Sequence, residues 1–566
     1  MAGHLLAIAV GPIQDFIAAA RRTRDLWSGS TLLSDISREV AKSVAGQQGA
    51  LIFPAQATAD NVANIILAEL PDGADPKTVA EKAEADGKAH WDGVAADTLR
   101  DWAASVDGPR FRAQQSTCLE FYYAWEPLPD GPEAYQQARR KLMQVLSGRK
   151  ACRNFNQFTG VAKLPKSSLD GARESVWKDG KLGSITDWRR KQLRLNDGEQ
   201  LDAIGLIKRA GLGNRQFPSV SRIAADPWLR GLDDKDRALL IADCEELVKD
   251  KVGLISLARF HQYAGFPYEG SAVFERRLDE VIESEAAEGR QTALRKRLKA
   301  LYATYNEPSP YLAVLVADGD RVGKTISGLR RVSDNRRFSE DLARFAREAK
   351  RIVEAHHGVL VYAGGDDVLA FLPADKAIEC ARALRDEFAR GMEDWLGPTL
   401  SVGLAFGHCM EDLEDLLQAG RAAEKDAKED RNALAVHWKP AGGPVIKVRR
   451  SWETKPDHHL LELIELYYHD RFPDGAAYQL REMARHYQDW RVENPHRELA
   501  MQVDARRLLS RKASGKTVND AVQNLLQTRL KTPADLLEFA NEMIIARRLV
   551  ASYRQRKQPP VKVVSA

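Results

Sequence analysis

Val359-Leu360-Val361-Tyr362-Ala363-Gly364-Gly365-Asp366-Asp367-Val368-Leu369-Ala370-Phe371-Leu372 is the stretch on which the reading of this chain turns. An apolar, β-branched run enters, two glycines turn the chain, two carboxylates follow, and an apolar run leaves. The pattern predicts a β-hairpin with a two-residue turn, where glycine adopts positive φ at no steric cost. Two carboxylates at the mouth of a rigid turn repel each other unless a cation lies between them, and Mg²⁺ is the usual candidate. Taken alone, the four turn residues also read as an ordinary surface turn with solvated aspartates.

A second stretch gives the hairpin a partner. Tyr311-Leu312-Ala313-Val314-Leu315-Val316-Ala317-Asp318-Gly319-Asp320 has the pattern of a buried strand ending in acid. A helix is expected between the two, from Phe338 to His356, and another after the hairpin, from Asp375 to Trp395. A strand (Thr399 to Phe406), a helix (Asp412 to Glu429) and a last strand (Ala433 to Trp438) follow. The order β-α-β-β-α-β is the split, ferredoxin-like plan, in which the first and third strands are antiparallel neighbours. Asp318 then falls beside Asp366 and Asp367, and three carboxylates at one sheet edge suit a two-metal site.

The first 125 or so residues repeat the plan. Strands are expected at Leu5 to Val10, Leu51 to Phe53, Ala63 to Leu67 and Leu119 to Ala124. Helices are expected at Ile13 to Arg24 and Pro76 to Ala104. Where the later copy has Gly-Gly-Asp-Asp, this one has Pro54-Ala55-Gln56-Ala57-Thr58, and where the later has Asp318 it has Val10-Gly11. The acidic site is therefore absent from the first copy, which is left able to form half of a pocket. The fold class is α+β: a degenerate first copy (1–128), a helical insert (129–305), a second copy carrying the acidic turn (306–445) and a C-terminal helical bundle (446–566). The bundle's helices are expected at Leu460 to Tyr468, Ala476 to Tyr487, Leu499 to Leu509 and Pro533 to Ala551, with Arg554 to Ala566 frayed or partner-bound.

Bulk properties bound the function. The 566 residues are 44% hydrophobic and 29% charged, ordinary for a soluble multi-domain protein. No apolar run reaches membrane length and the start lacks a signal-peptide pattern. Five scattered cysteines form no CxxC pair, so neither a disulfide framework nor a cysteine zinc site is supported, and a cytoplasmic location is expected. A net charge of +4 does not by itself imply nucleic acid. Basic clusters stand at Arg21-Arg22-Thr23-Arg24, Arg139-Arg140-Lys141, Trp188-Arg189-Arg190-Lys191 and Arg547-Arg548 to Lys557, each also readable as a solvated face. Within Pro165 to Ser175, Lys166, Ser167, Ser168 and Arg173 are candidate phosphate contacts, or part of a connecting loop with a helix cap.

With these stretches in hand, the chain resembles the large polymerase/cyclase subunit of type III CRISPR effector complexes, Cmr (III-B) class. The matching residues are Gly11-Pro12-Ile13-Gln14-Asp15-Phe16-Ile17, Ala20-Arg21-Arg22-Thr23-Arg24-Asp25-Leu26-Trp27-Ser28-Gly29-Ser30, Pro165 to Gly171, Asp318-Gly319-Asp320-Arg321-Val322-Gly323, Gly364 to Asp367 and Phe472-Pro473-Asp474-Gly475-Ala476. The resemblance implies two facing palm domains and synthesis of cyclic oligoadenylate from ATP. It also implies guide CRISPR RNA, target RNA and other Cmr subunits as partners, with activity switched on by target pairing. It makes Asp318 and Asp366 ligands of Mg²⁺ or Mn²⁺, Asp367 a further ligand or the base near a 3′-hydroxyl, and the Gly319 carbonyl a completing ligand. Gly364 and Gly365 would line the nucleotide. Lys428 and Arg431 would hold triphosphate, unless they are exposed helix charges paired with Glu424 and Glu429. Asp320 is read as either a site residue or a solvated loop aspartate.

Many relatives carry an N-terminal His-Asp nuclease domain. Here the first palm begins at residue 4, so none is expected, and His469-Asp470 reads as an ordinary dipeptide. His356-His357 and His458-His459 read as helix-end or loop residues. The insert also lacks the zinc-type cysteines of some relatives. Two other readings compete. Gly319 to Thr325 ends in Gly-Lys-Thr after a strand, as a P-loop does, but has three residues between the glycines where four are needed. A catalytically silent scaffold that binds RNA and subunits is the alternative.

Overall fold

The computed structural model describes residues 3–57, 62–131, 133–152, 160, 163–178, 190, 193–196, 198–211, 217–249, 257, 260–281, 288–488, 496–512 and 529–560. Two sheets organise them. The first holds β1 (His4–Gly11), β2 (Ala50–Phe53), β3 (Ile65–Leu70) and β4 (Glu120–Pro127) in the order β2-β3-β1-β4, every neighbour antiparallel. The second holds β5 (Tyr311–Asp320), β6 (Val359–Gly364), β7 (Asp367–Pro373), β8 (Thr399–His408), β9 (Ala433–Trp438) and β10 (Ile446–Ser451). Its order is β10-β9-β8-β5-β7-β6, antiparallel except where β8 and β9 run parallel. The run β6-β7-β5-β8 reproduces β2-β3-β1-β4 strand for strand, so the two sheets share one plan. In both, the first strand pairs antiparallel with the third, as the split plan requires.

Alternation along each strand explains the layering. Leu6, Ile8 and Val10 of β1 face α2 (Thr23–Gly46) and α3 (Pro76–Trp102), while Leu5, Ala7 and Ala9 face α5 (Ala134–Ala151). The short helices α1 (Gln14–Ala18) and α4 (Gly108–Gln115) flank this layer. In the second sheet, Ala313, Leu315 and Ala317 face α12 (Val332–Ala355) and α13 (Ala377–Gly391), which meet edge-to-face through Phe345 and Phe388 at 4.9 Å. Leu312 and Val314 face α14 (Leu413–Asp430) and share one core with the first palm.

The expected helix Ile13 to Arg24 is broken. α1 stops at Ala18, and a new helix starts at Thr23 and continues to Gly46. The Asp25 carboxylate accepts the backbone N–H groups of Arg21 and Arg22 at 3.2 and 3.1 Å, which fixes the second start. The third strand runs Ile65–Leu70, later than expected, and α13 begins and ends inside its expected span.

The region after β4 is divided among several neighbours. α5 covers the first sheet, and α6 (Ala203–Ala210) packs into the first palm's core, where the Arg209 guanidinium meets Asp25 at 2.7 Å. α7 (Val220–Gly231), α8 (Asp234–Lys249), α9 (Leu278–Val281) and α10 (Glu288–Tyr305) close a separate core around Trp228, Cys244 and Leu298. α11 (Val322–Gly328) follows β5, and α15 (Pro456–Tyr468), α16 (Ala476–Gln488), α17 (Arg497–Lys512) and α18 (Pro533–Gln555) form the C-terminal layer. Arg556, expected in a frayed or partner-bound tail, is 5% exposed with Nη1 3.3 Å from Asp375. His469 ends α15, and Asp470 pairs with Arg554 at 2.5 Å. Thr58, Trp188, Arg189, Lys191 and residues 561–566 lie outside the described residues. Among the described residues no helix is long and apolar enough to cross a membrane, and no disulfide joins any of the five cysteines.

The second palm is stitched to the first palm and to the α5 that covers it. Asn335 donates to the Tyr135 hydroxyl at 2.6 Å, Arg336 to the Leu51 carbonyl at 2.9 Å, and Gln136 to the Ser327 carbonyl at 2.8 Å.

Candidate metal and nucleotide site

Three strand ends build the site. β5 pairs with β7 as far as Ala317–Val368 and with β8 as far as Asp320–Thr399, so Asp318 emerges between the two neighbours. Gly364 and Asp367 pair across the hairpin and leave Gly365 and Asp366 as its two-residue turn. Gly365 has φ +72°, and a positive φ at the first turn residue alone is the type II′ pattern. Glycine supplies that conformation without a steric penalty. The turn is thus one residue later than Gly-Gly suggests, with Gly364 ending the strand.

The turn carries Asp366 onto Gly319. A Cβ at position 319 would lie 2.7 Å from the Asp366 Cβ and 2.8 Å from its Oδ2, so only glycine admits this approach. The outcome is a cluster in which Asp318, Asp366 and Asp367 each offer a carboxylate oxygen, all within 4.8 Å of one another. Asp318 and Asp366 are partly buried and Asp367 is exposed at the rim. Lost hydration and then the Asp318 charge push the Asp366 carboxyl up to about 6. The Asp367 carboxyl is pushed up to about 9, first by lost hydration, then by its hydrogen bond to Asp318 and the two neighbouring charges. Burial and the same aspartates raise the Tyr362 phenol above its ordinary value.

Lys428, near the end of α14, faces this cluster. Its Nζ lies 2.5 Å from Asp318 Oδ2 and 3.2 Å from Asp320 Oδ1, and donates to the Gly319 carbonyl at 2.8 Å. Burial pulls the ammonium's pKa down, but the Asp318 and Asp320 contacts outweigh it and hold it above the ordinary lysine value. The pairing with Glu424 and Glu429 is not what forms: Glu429 instead meets Arg449. Arg431 sits at the exposed end of α14 with φ +58° and makes no ion pair among the described residues. The structure therefore brings Asp318, Gly319, Gly364, Gly365, Asp366, Asp367 and Lys428 together and leaves Arg431 at the edge.

Asp320 is no solvated loop residue. It is 1% exposed and accepts from the hydroxyls of Thr399 (2.8 Å) and Ser401 (2.9 Å) and from the Asn432 N–H (2.8 Å). Sequence reading gives Glu424 only as a partner for an exposed helix charge, whereas its carboxyl is raised by burial and then by Asp318. It passes over Phe53, whose ring stands 3.9 Å from where a Gly365 Cβ would be. The P-loop reading fails on geometry. Gly319 lies in β5 and Gly323 in α11, with Arg321 alone outside both spans before the helix begins, so no loop wraps a phosphate.

The donor set suits a hard cation. It is all oxygen, three carboxylates with the Gly319 carbonyl held by the same Lys428, and lost hydration followed by the neighbouring carboxylates raises two of the carboxyls. Mg²⁺ or Mn²⁺ fits such a set.

The chain is similar to known proteins. Residues 311–435 match the Cas10/Cmr2 second palm domain family, and residues 5–96 match the family of the N-terminal part of the CRISPR-associated protein Cmr2. The CRISPR system Cmr subunit Cmr2 of Pyrococcus furiosus is 26% identical over 516 residues, covering 74% of this chain and 59% of that protein. The chain thus spans about three fifths of that curated relative's length. A cryo-EM structure of type III-B Cmr-beta in the apo state superposes with a TM-score of 0.63 at 14% identity, over 91% of this chain and 78% of the other. The type III-B Cmr-beta structure bound to cognate target RNA gives 0.62 at 14% identity, over 91% and 79%. At that identity the likeness shows a shared fold.

Proposed function

Since the chain belongs to the Cas10/Cmr2 family, we propose that it is the large subunit of a type III-B effector that makes cyclic oligoadenylate from ATP. Synthesis starts when target RNA pairs with the guide CRISPR RNA in a complex with other Cmr subunits. The observation that carries this reading is the convergence of Asp318, Asp366 and Asp367 within the stretch that matches the second palm.

The reaction is a 3′–5′ nucleotidyl transfer. The 3′-oxygen of one adenosine forms a bond to the α-phosphorus of another ATP, the α–β bridging bond breaks, and pyrophosphate leaves. A bound divalent cation supplies acidification of the 3′-hydroxyl and neutralisation of the triphosphate. Asp318 and Asp366 hold that cation, with the Gly319 carbonyl beside them. Asp367, at the open rim, serves as a further ligand or takes the hydroxyl proton. Lys428 and Arg431 meet the polyphosphate, and Gly364 and Gly365 let it approach the turn. Phe53 supports a first palm that faces the turn and supplies the accepting side of the pocket.

The assembled complex, given ATP, Mg²⁺, guide and target RNA, is expected to yield oligoadenylates by mass spectrometry. The Asp366→Ala, Asp367→Ala double variant is expected to yield none. A wild-type complex that binds target RNA yet forms no oligoadenylate overturns the reading. Equal yields with and without target RNA remove the switch.

A further inference from the structure

Asp320 lies two residues beyond Asp318, stands outside the acidic trio and is nearly inaccessible to water. Thr399, Ser401 and the Asn432 N–H converge on it. Both residues that leave α14 there, Arg431 and Asn432, have left-handed φ of +58° and +43°. The helix end is therefore bent onto this carboxylate. From the same end Lys428 reaches Asp320 Oδ1 at 3.2 Å, Asp318 Oδ2 at 2.5 Å and the Gly319 carbonyl at 2.8 Å. One ammonium is thus shared between a carboxylate of the trio and a buried carboxylate behind it. Long lysine side chains lose rotamer entropy when fixed, so a second anchor matters to where the ammonium rests.

We propose that Asp320 is a positioning residue that tethers Lys428 at the acidic trio, making the ammonium the trio's internal counter-ion. Lys428 holds two of the oxygens that a divalent cation takes, Asp318 Oδ2 and the Gly319 carbonyl. A cation arriving at Asp318 displaces the ammonium. The Asp320 tether keeps it at the site, where it meets the polyphosphate of the nucleotide. The last step rests on the function proposed above, whereas the tether and the competition do not.

Two measurements on the full chain test this. The first is Mn²⁺ binding without nucleotide, read by electron paramagnetic resonance. Lys428→Met keeps the stem and removes the competitor, and is expected to bind Mn²⁺ about tenfold tighter, the scale of one charge-assisted contact. Unchanged or weaker Mn²⁺ binding overturns the counter-ion. The second is the affinity of a non-hydrolysable ATP analogue with Mg²⁺ in a double-mutant cycle. In Asp320→Asn the amide oxygen still accepts from Thr399, Ser401 and Asn432, while the NH₂ turns toward Lys428, so the pin survives and the tether does not. The expected loss is about tenfold in the wild-type background and within about twofold in Lys428→Met, the non-additivity of residues that act through one another. Equal losses in both backgrounds, or none in either, overturn the tether. An analogue that fails to bind the wild type overturns the nucleotide reading, and the Mn²⁺ measurement then decides this proposal. If Asp320→Asn loses its cooperative melt, the Mn²⁺ measurement on Lys428→Met likewise decides it.

Discussion

Replacing Asp367 with asparagine is expected to stabilise the cation-free protein while removing its proposed chemistry. The trio's oxygens lie within 4.8 Å of one another. An ionised Asp367 at that separation from one other full charge would be repelled by about 3.5 kcal/mol at an effective dielectric of roughly 20, which is the cost that keeps its proton on. Water at the exposed rim and the ammonium on Asp318 reduce this, leaving about 1–2 kcal/mol to be gained at Asp367. The asparagine NH₂ also donates to Asp318, as the protonated Asp367 does.

The pH dependence gives the sign independently. Unfolded, both carboxyls release their protons near 3.8, whereas folded they hold them to about 6 and about 9. Across that window the native state binds more protons than the unfolded one, so wild-type stability falls as pH rises. The advantage of Asp367→Asn is therefore absent at the low end and grows toward the high end. Thermal unfolding in EDTA at about pH 5 and about pH 8 reads it, with a gain of roughly 2–4 °C per kcal/mol for a unit of 150–250 residues. Added Mg²⁺ raises the wild-type midpoint more than the variant's, because it binds the native trio. A variant that melts at or below wild type at the higher pH, or whose gain is the same at both, refutes the electrostatic account.

Two further outcomes follow from single contacts. Gly319→Ala drives a methyl to within 2.7 Å of Asp366 Cβ and of Val322 Cγ2, and overpacking of this kind costs about 1–3 kcal/mol. It is expected to displace the turn, and hence to weaken Mn²⁺ binding beyond what its melting shift explains. Asp25→Ala removes a fully buried carboxylate that pairs with Arg209 and caps α2. Breaking such a pair costs about 3–5 kcal/mol, so the variant's midpoint falls sharply, and Asp25→Leu with Arg209→Met does not recover it, because buried Glu199 then loses its own ion-pair partner.

The second palm was legible because its strands are long, β-branched and bounded by turn residues, and because the split plan then dictates their order. Nothing more was needed to bring Asp318 beside Asp366 and Asp367. The long helix α2 was illegible for a physical reason. Much of its buried face is Thr23, Ser28, Gly29, Ser30, Ser34 and Ser37, small residues that permit close packing but carry no hydrophobic signal. The cluster Arg21 to Arg24 read as a solvated face, yet burial and the nearby Arg209 pull Arg22 down to about 10. That environment is made by α6, far along the chain. Asp320 was hidden in the same way, since its donors come from β8 and the end of α14.

The two palms share a strand order but, among the described residues, only one carries acid at the turn, and the energetics of the trio account for the asymmetry. Three carboxylates that push two of their own pKa values upward destabilise the fold that holds them. On the proposed function a pocket between two palms needs one charged half to bind the cation. The other half needs only a surface for the accepting nucleotide. The first palm has Val10-Gly11 at the strand end where the second has Asp318, and Pro54 to Ala57 after β2 where the second has its acidic turn. Its Phe53 approaches Gly365 with a ring instead of a charge. Restoring acid there, by Gly11→Asp, is expected to lower the melting midpoint in EDTA without creating a second Mn²⁺ site. The first palm has no counterpart of Asp366 and Asp367 to complete one among its described residues. A variant that binds two Mn²⁺ ions would show that a single strand-end carboxylate suffices, and would remove this account of why one copy alone is acidic.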